Sequence, residues 1–273
     1  MLSILFDHAP LIAALLFAGA MIGVLAGLFG VGGGAISVPV FFDVFQIVGI
    51  TEQVAMPLAV GTSLAMIIPT SIMSAREHWL RGTLETAVIK VWILPIVIGV
   101  GIGAVLASVA PAALFQWVFV IVAILLALKL LFSTGNWQLR VDLPGIVAMS
   151  CYGTVIGLAS SLMGIGGGAL ANVVLTTHGF SMIKAVSTSA AVGLLVSLPG
   201  AIGYMAAGWG NPDLPFDAVG YVSLLTVALT LPTALLTTKF GVHLAHALTK
   251  KTLSRLFGLF LLLVAARFLV ELL

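Results

Sequence analysis

Charged residues are scarce in this sequence. Only 7% of its 273 residues are Asp, Glu, Lys or Arg, against about 25% in a soluble domain. So few charges cannot build a water-exposed surface, and 61% of the chain is hydrophobic. Lipid must therefore replace water over much of the molecule. Cysteine is nearly absent too: there is one, Cys151, which excludes a disulfide framework within the chain. In its apolar stretch it is expected to be a small buried side chain. No basic n-region precedes the first apolar segment between Met1 and Pro10, so that segment is expected to stay as a membrane helix. There is no HExxH, no GK[ST] after a glycine cluster and no Ser/His/Asp set at a common depth. These absences argue against an enzyme, a metal centre, a cofactor and a nucleotide-driven pump, and no nucleic-acid partner is expected.

What is present is a series of apolar runs. A spanning helix needs about 20 mainly apolar residues. Runs of that kind cover 9–29, 54–75, 83–109, 111–132, 144–163, 183–207, 217–238 and 252–270. Two shorter pieces, 34–48 and 169–180, each follow a glycine cluster. The first could cover only about 22 Å at about 1.5 Å per residue. Such pieces are either thin crossings or arms of a re-entrant hairpin.

Basic loop residues concentrate on the cytoplasmic side of a membrane protein. With the two short pieces counted as passes, Arg76, Arg81, Arg140, Lys184, Lys239, Lys250, Lys251 and Arg255 fall on one face. Lys90 and Lys129 lie within snorkelling reach of it. The other face receives Glu52, Asp213 and Asp217, with Asp7 and Glu271 at the ends, and only Arg267 among the basic residues. The expected topology is five segments per half with both termini outside. A hairpin would keep the same parity.

The chain repeats itself. Gly23-Val-Leu-Ala-Gly-Leu-Phe-Gly30-Val-Gly32-Gly33-Gly34-Ala35 matches Gly157-Leu-Ala-Ser-Ser-Leu-Met-Gly164-Ile-Gly166-Gly167-Gly168-Ala169. Ala59-Val60-Gly61-Thr62-Ser63 matches Ala185-Val186-Ser187-Thr188-Ser189, and Leu94-Pro95 more weakly matches Leu231-Pro232. A unit of five segments is an odd number, so its second copy enters the membrane from the opposite side. The expected fold is an all-α integral membrane protein of two inverted repeats, 1–132 and 144–273, joined by a linker at 133–143.

Three adjacent glycines break a helix at about 1 kcal/mol each relative to alanine. In lipid the freed backbone groups survive only inside protein or beside a polar cavity. Bare N–H groups leading into a helix N-terminus favour an anion. The candidate substrate-binding residues are therefore Gly32, Gly33 and Gly34 in one half and Gly166, Gly167 and Gly168 in the other. Ser37, Thr62, Ser63, Asn172, Thr188 and Ser189 are candidate neutral donors, which bind an oxyanion without trapping it. Against this stand helix packing for the glycines and hydroxyl bonds to the local backbone. His243 and His246 are three apart but have no carboxylate or cysteine with them, and read as a solvated interfacial face. His78, Trp79, Arg76 and Arg81 read as an interfacial belt.

On these motifs, with Pro39 and the loop His78-Trp79-Leu80-Arg81-Gly82, the chain resembles the TauE/SafE family of sulfite exporter-like membrane proteins over nearly its whole length. The second half departs from the pattern, with Val173 where Pro39 stands and Ser187 where Gly61 stands. The resemblance implies a secondary transporter, an exporter of a small sulfur-containing anion such as sulfite or a sulfonate, in a prokaryotic inner membrane. Movement of one half against the other would alternate access. The other readings are an anion channel, a membrane-embedded enzyme and a non-transporting scaffold subunit. The expected partners are the anion and the bilayer, with a homo-oligomer open.

Overall fold

The computed structural model describes residues 9–29, 34–132 and 144–273. The expected linker at 133–143, and with it Arg140, lies outside these residues, as do Asp7, Gly32 and Gly33. The described residues form ten helices and no strand: α1 (Ala9–Phe29), α2 (Gly34–Ile47), α3 (Glu52–Leu80), α4 (Thr86–Val109), α5 (Ala112–Phe132), α6 (Ile146–Met163), α7 (Gly168–Thr177), α8 (Met182–Ala207), α9 (Leu224–Ala247) and α10 (Lys250–Leu272). Seven of them are long and apolar enough to cross a membrane: α3, α4, α5, α6, α8, α9 and α10. Shorter apolar helices lie at Ile12–Ala26 in α1 and at α2 and α7. At about 1.5 Å per residue α2 reaches about 21 Å and α7 about 15 Å, against a hydrocarbon core of about 30 Å.

The helices turn apolar side chains outward as well as inward. On α4, Ile93, Leu94, Val97, Ile98, Ile102 and Val105 are exposed, while Trp92, Pro95, Ile96, Gly99 and Gly103 on the other face are buried. An outward apolar stripe of that kind suits lipid. Cys151 is exposed on α6, not buried as expected. The buried face of α6 runs through Met149, Gly153, Ile156 and Gly157, and residue 151 points away from it.

The principal helix pairs each join the two halves of the sequence. α1 packs along α9, α4 along α6, α3 across α8 and α5 along α10. Two of these seams use glycines four apart. A Cβ at Gly19 or Gly23 of α1 would strike α9 at Thr230 or Ala234, and a Cβ at Gly153 or Gly157 of α6 would strike α4 at Pro95 or Ile96. Small residues let backbones approach where hydrophobic burial gives little drive, because lipid is as apolar as leucine. Trp92 Nε1 donates to Met149 O at 2.9 Å across the α4–α6 seam. At the α5–α10 seam Phe268 meets Phe119 edge-on at 5.1 Å and Phe42 of α2 at 5.7 Å. The halves are thus interleaved around one buried apolar core.

Candidate functional site

Helix α6 stops at the second glycine cluster. Gly164 is left-handed, at φ 65°, and Ile165 N–H folds back to Ser160 O at 3.0 Å. A left-handed residue closed by such a bond is a common helix ending. Gly167 is left-handed again, at φ 71°, and α7 starts from it at Gly168. Beyond Ile165, Gly167 N–H is the one in the break that bonds locally, to Ile165 O at 2.6 Å. The N–H groups of Gly166, Gly168, Ala169 and Leu170 have no backbone or side-chain acceptor among the described residues. They are the orphan donors of a helix start, at the positive end of its dipole.

The two glycine regions meet. Gly34 is the first residue of α2, and a Cβ there would lie 2.8 Å from Gly164 O and 2.9 Å from the Ile165 Cα. Ser63 Oγ on α3 donates to Gly164 O at 2.8 Å and lies 2.6 Å from Ser37 Oγ on α2. Three elements from both halves are therefore tied to one carbonyl at the break. Gly166 faces Ile67 of α3 and Gly193 of α8, and Gly193 in turn faces Ser71 Oγ.

The remaining candidates divide. Ser189 lies beside Gly168, but its hydroxyl bonds back to Ala185 O at 2.7 Å. Asn172, on α7, has a buried Oδ1 with no partner. Thr62 and Thr188 are fully buried and do a different job, at the two ends of the α3–α8 pair. Thr62 Oγ1 accepts Ser223 N–H at 3.0 Å, immediately before α9. Thr188 Oγ1 accepts Glu85 N–H at 3.1 Å, immediately before α4. One residue earlier, Gly61 lies hard against Tyr221 O, while Ser187 Oγ donates to Thr83 Oγ1 at 2.8 Å and lies 3.0 Å from His78 Nδ1. The Ser187 departure from the glycine pattern thus has a use, and the half-buried His78 faces protein.

The same two ends have different surroundings. Beside Thr188, Lys184 Nζ and Glu85 Oε1 form an ion pair at 2.5 Å. Beside Thr62, a cavity of 690 Å³ opens, lined by Ile12, Val44, Phe45, Leu214, Asp217 and Ser223 among others. Asp217 Oδ2 accepts from Ser223 Oγ at 2.5 Å and from Leu225 N–H at 3.2 Å, which holds its charge at the start of α9.

Two buried hydroxyls that motif reading passed over stand out. Ser160, on the last turn of α6, is 0% exposed with an unpartnered Oγ. That oxygen lies 3.4 Å from where a Cβ of Gly167 would be. Ser197 on α8 is also fully buried and unpartnered. The pattern Ser160-Ser161 before the cluster was visible, but nothing in it showed that Ser161 bonds back to Leu158 O while Ser160 does not. Among the described residues no group of three His, Cys, Asp or Glu could hold a metal.

A bare helix start thus lies beside an unpartnered buried hydroxyl within an apolar helical bundle. The family model for the sulfite exporter TauE/SafE matches residues 15–268. The chain belongs to that family. A "probable membrane transporter protein" of Haemophilus influenzae is 33% identical over 250 residues, which is 92% of this chain and 95% of that protein. One of Methanocaldococcus jannaschii is 27% identical over 249 residues, 91% of each chain. One of Bacillus subtilis is 23% identical over 272 residues, 93% of this chain and 95% of that protein. No solved structure matches. This TauE/SafE protein is accordingly an integral membrane protein of a transporter family.

Proposed function

We propose that this protein is a secondary transporter of a small sulfur oxyanion, sulfite or a sulfonate, and that the anion binds at the glycine break between α6 and α7. One observation carries the reading: the break leaves the N–H groups of Gly166 and of the α7 start, Gly168, Ala169 and Leu170, without acceptors, close to Gly34 of the other half and beside the unpartnered hydroxyl of Ser160. In a low-dielectric interior such orphan groups cost free energy unless a ligand meets them. An oxyanion supplies several acceptors at once and no donor is wasted. Neutral donors also let it leave, which a transporter requires.

The helix pairing supports inverted repeats. Exchanging the first five helices with the last five turns α1–α9 into α6–α4 and maps α3–α8 and α5–α10 onto themselves. The reciprocal bonds of Thr62 and Thr188 follow the same exchange. Their unequal surroundings support alternating access: the Thr62 end opens into a cavity, whereas Lys184 and Glu85 pair across the Thr188 end. On the charge pattern the Thr62 end is the outside and the Thr188 end the cytoplasm of a prokaryotic inner membrane, with both termini outside. Because all four seams join both halves, access changes by shear along the seams at Thr62 and Thr188, with small sliding of packed helices.

Purified protein in liposomes tests this. Saturable flux of sulfite or methanesulfonate above empty vesicles, lost in Gly167→Val, is expected. Flux no greater than in empty vesicles across both anions would remove the reading, and large unitary currents would replace the carrier by a channel.

A further inference from the structure

Each half carries one basic residue at the same place in its last helix: Lys129 on α5 and Arg267 on α10 are both the eighteenth residue of their helix. Each reaches a short helix of the other half. Lys129 Nζ donates to Val173 O at 3.1 Å and Thr176 Oγ1 at 3.3 Å on α7. Arg267 grips Asp43 on α2 through both Nη atoms, and Glu271 lies 3.1 Å from Nη2. A lysine near a helix end in a membrane usually snorkels to the interface. This one is half-buried and turned onto a neighbouring helix instead.

From this pairing we infer that Lys129 and Arg267 are positioning residues for the anion site. They hold α7 and α2 from their C-terminal parts, so that the α2 start at Gly34 stays against the Gly164–Gly167 break that leads into α7. The inference rests on the anion reading above for what the site holds, but the bracing stands on its own contacts.

The two braces differ in charge. Arg267 is flanked by two carboxylates, Asp43 and Glu271, so this cluster adds no net positive field. Lys129 has no carboxylate partner among the described residues. A cation near a helix C-terminus is favourable, and an anion at the N-terminus sits about 15 Å away along a helix of this length. At an effective dielectric of about 20 the attraction over that distance corresponds to about a sixfold change in affinity. Lys129 therefore makes the α7 start the preferred anion site of the two.

Uptake kinetics with radiolabelled sulfite in proteoliposomes test the charge, and melting of the detergent-solubilised protein tests the brace. Lys129→Met and Lys129→Gln should each raise the sulfite KM about sixfold with the maximal rate within twofold, and Lys129→Arg should stay within twofold of wild type. Gln keeps a donor without the charge, so an unchanged KM in a folded Lys129→Gln protein overturns the field argument. Arg267→Asp should lower the melting temperature, and Asp43→Arg with Arg267→Asp should restore at least half of the loss. A double variant no more stable than the single one overturns the brace. If the wild type shows no saturable sulfite uptake, the transport reading and the Lys129 field fall together, while the melting series still decides the brace.

Discussion

Ser160→Ala separates a structural hydroxyl from a ligand-binding one, because the two roles predict opposite signs. The Ser160 oxygen is fully buried and has no partner. Leaving a buried hydroxyl unsatisfied costs about 1–3 kcal/mol. Removing it from the anion-free protein should therefore stabilise, by about 1–2 kcal/mol after the lost packing of one small atom. For a chain of this size about 1 kcal/mol moves Tm by about 2–4 °C, so a rise of about 2–8 °C is expected. With anion present the sign reverses. A hydrogen bond to a charged group contributes about 1.5–3 kcal/mol, so the variant should bind sulfite about 10- to 150-fold more weakly. The assay is tryptophan-fluorescence melting in detergent across a sulfite titration, for wild type and variant in parallel. Wild type should start lower and climb with sulfite; the variant should start higher and stay flat. A variant that melts lower without sulfite, yet climbs as steeply as wild type, would refute the placement of this hydroxyl in the site.

Other consequences follow from named contacts. Gly34→Ala should abolish anion flux, because its Cβ would meet Gly164 O at 2.8 Å and force α2 off the break; liposome flux at equal protein incorporation checks this. Thr62→Val leaves the buried Ser223 N–H without its acceptor and should destabilise by about 1–3 kcal/mol, with Thr62→Ser recovering most of it in the same melting assay. Glu85→Gln breaks a partly exposed ion pair, so its effect on stability should stay under about 1 kcal/mol. It should instead increase labelling of a cysteine placed at Ser187 by a membrane-impermeant reagent.

The sequence determined the solvent and the punctuation. So few charges left lipid as the only possible surroundings, and the all-helical fold follows because lipid cannot satisfy a backbone that is not bonded internally. The break between α6 and α7 was legible because glycines at 164 and 167 take left-handed conformations that other residues adopt only with strain. The duplicated Thr-Ser elements were legible as a pair, but not their use, since a hydroxyl's partner is set by whichever helix packs opposite. Tertiary structure alone decided that the halves interleave, that Gly34 rests on Gly164, and that Ser160 is left unpaired while Ser161 is not. The physical reason is range: helix breaks and lipid exposure are local properties of a few residues, whereas a shared site arises from contacts between segments more than a hundred residues apart.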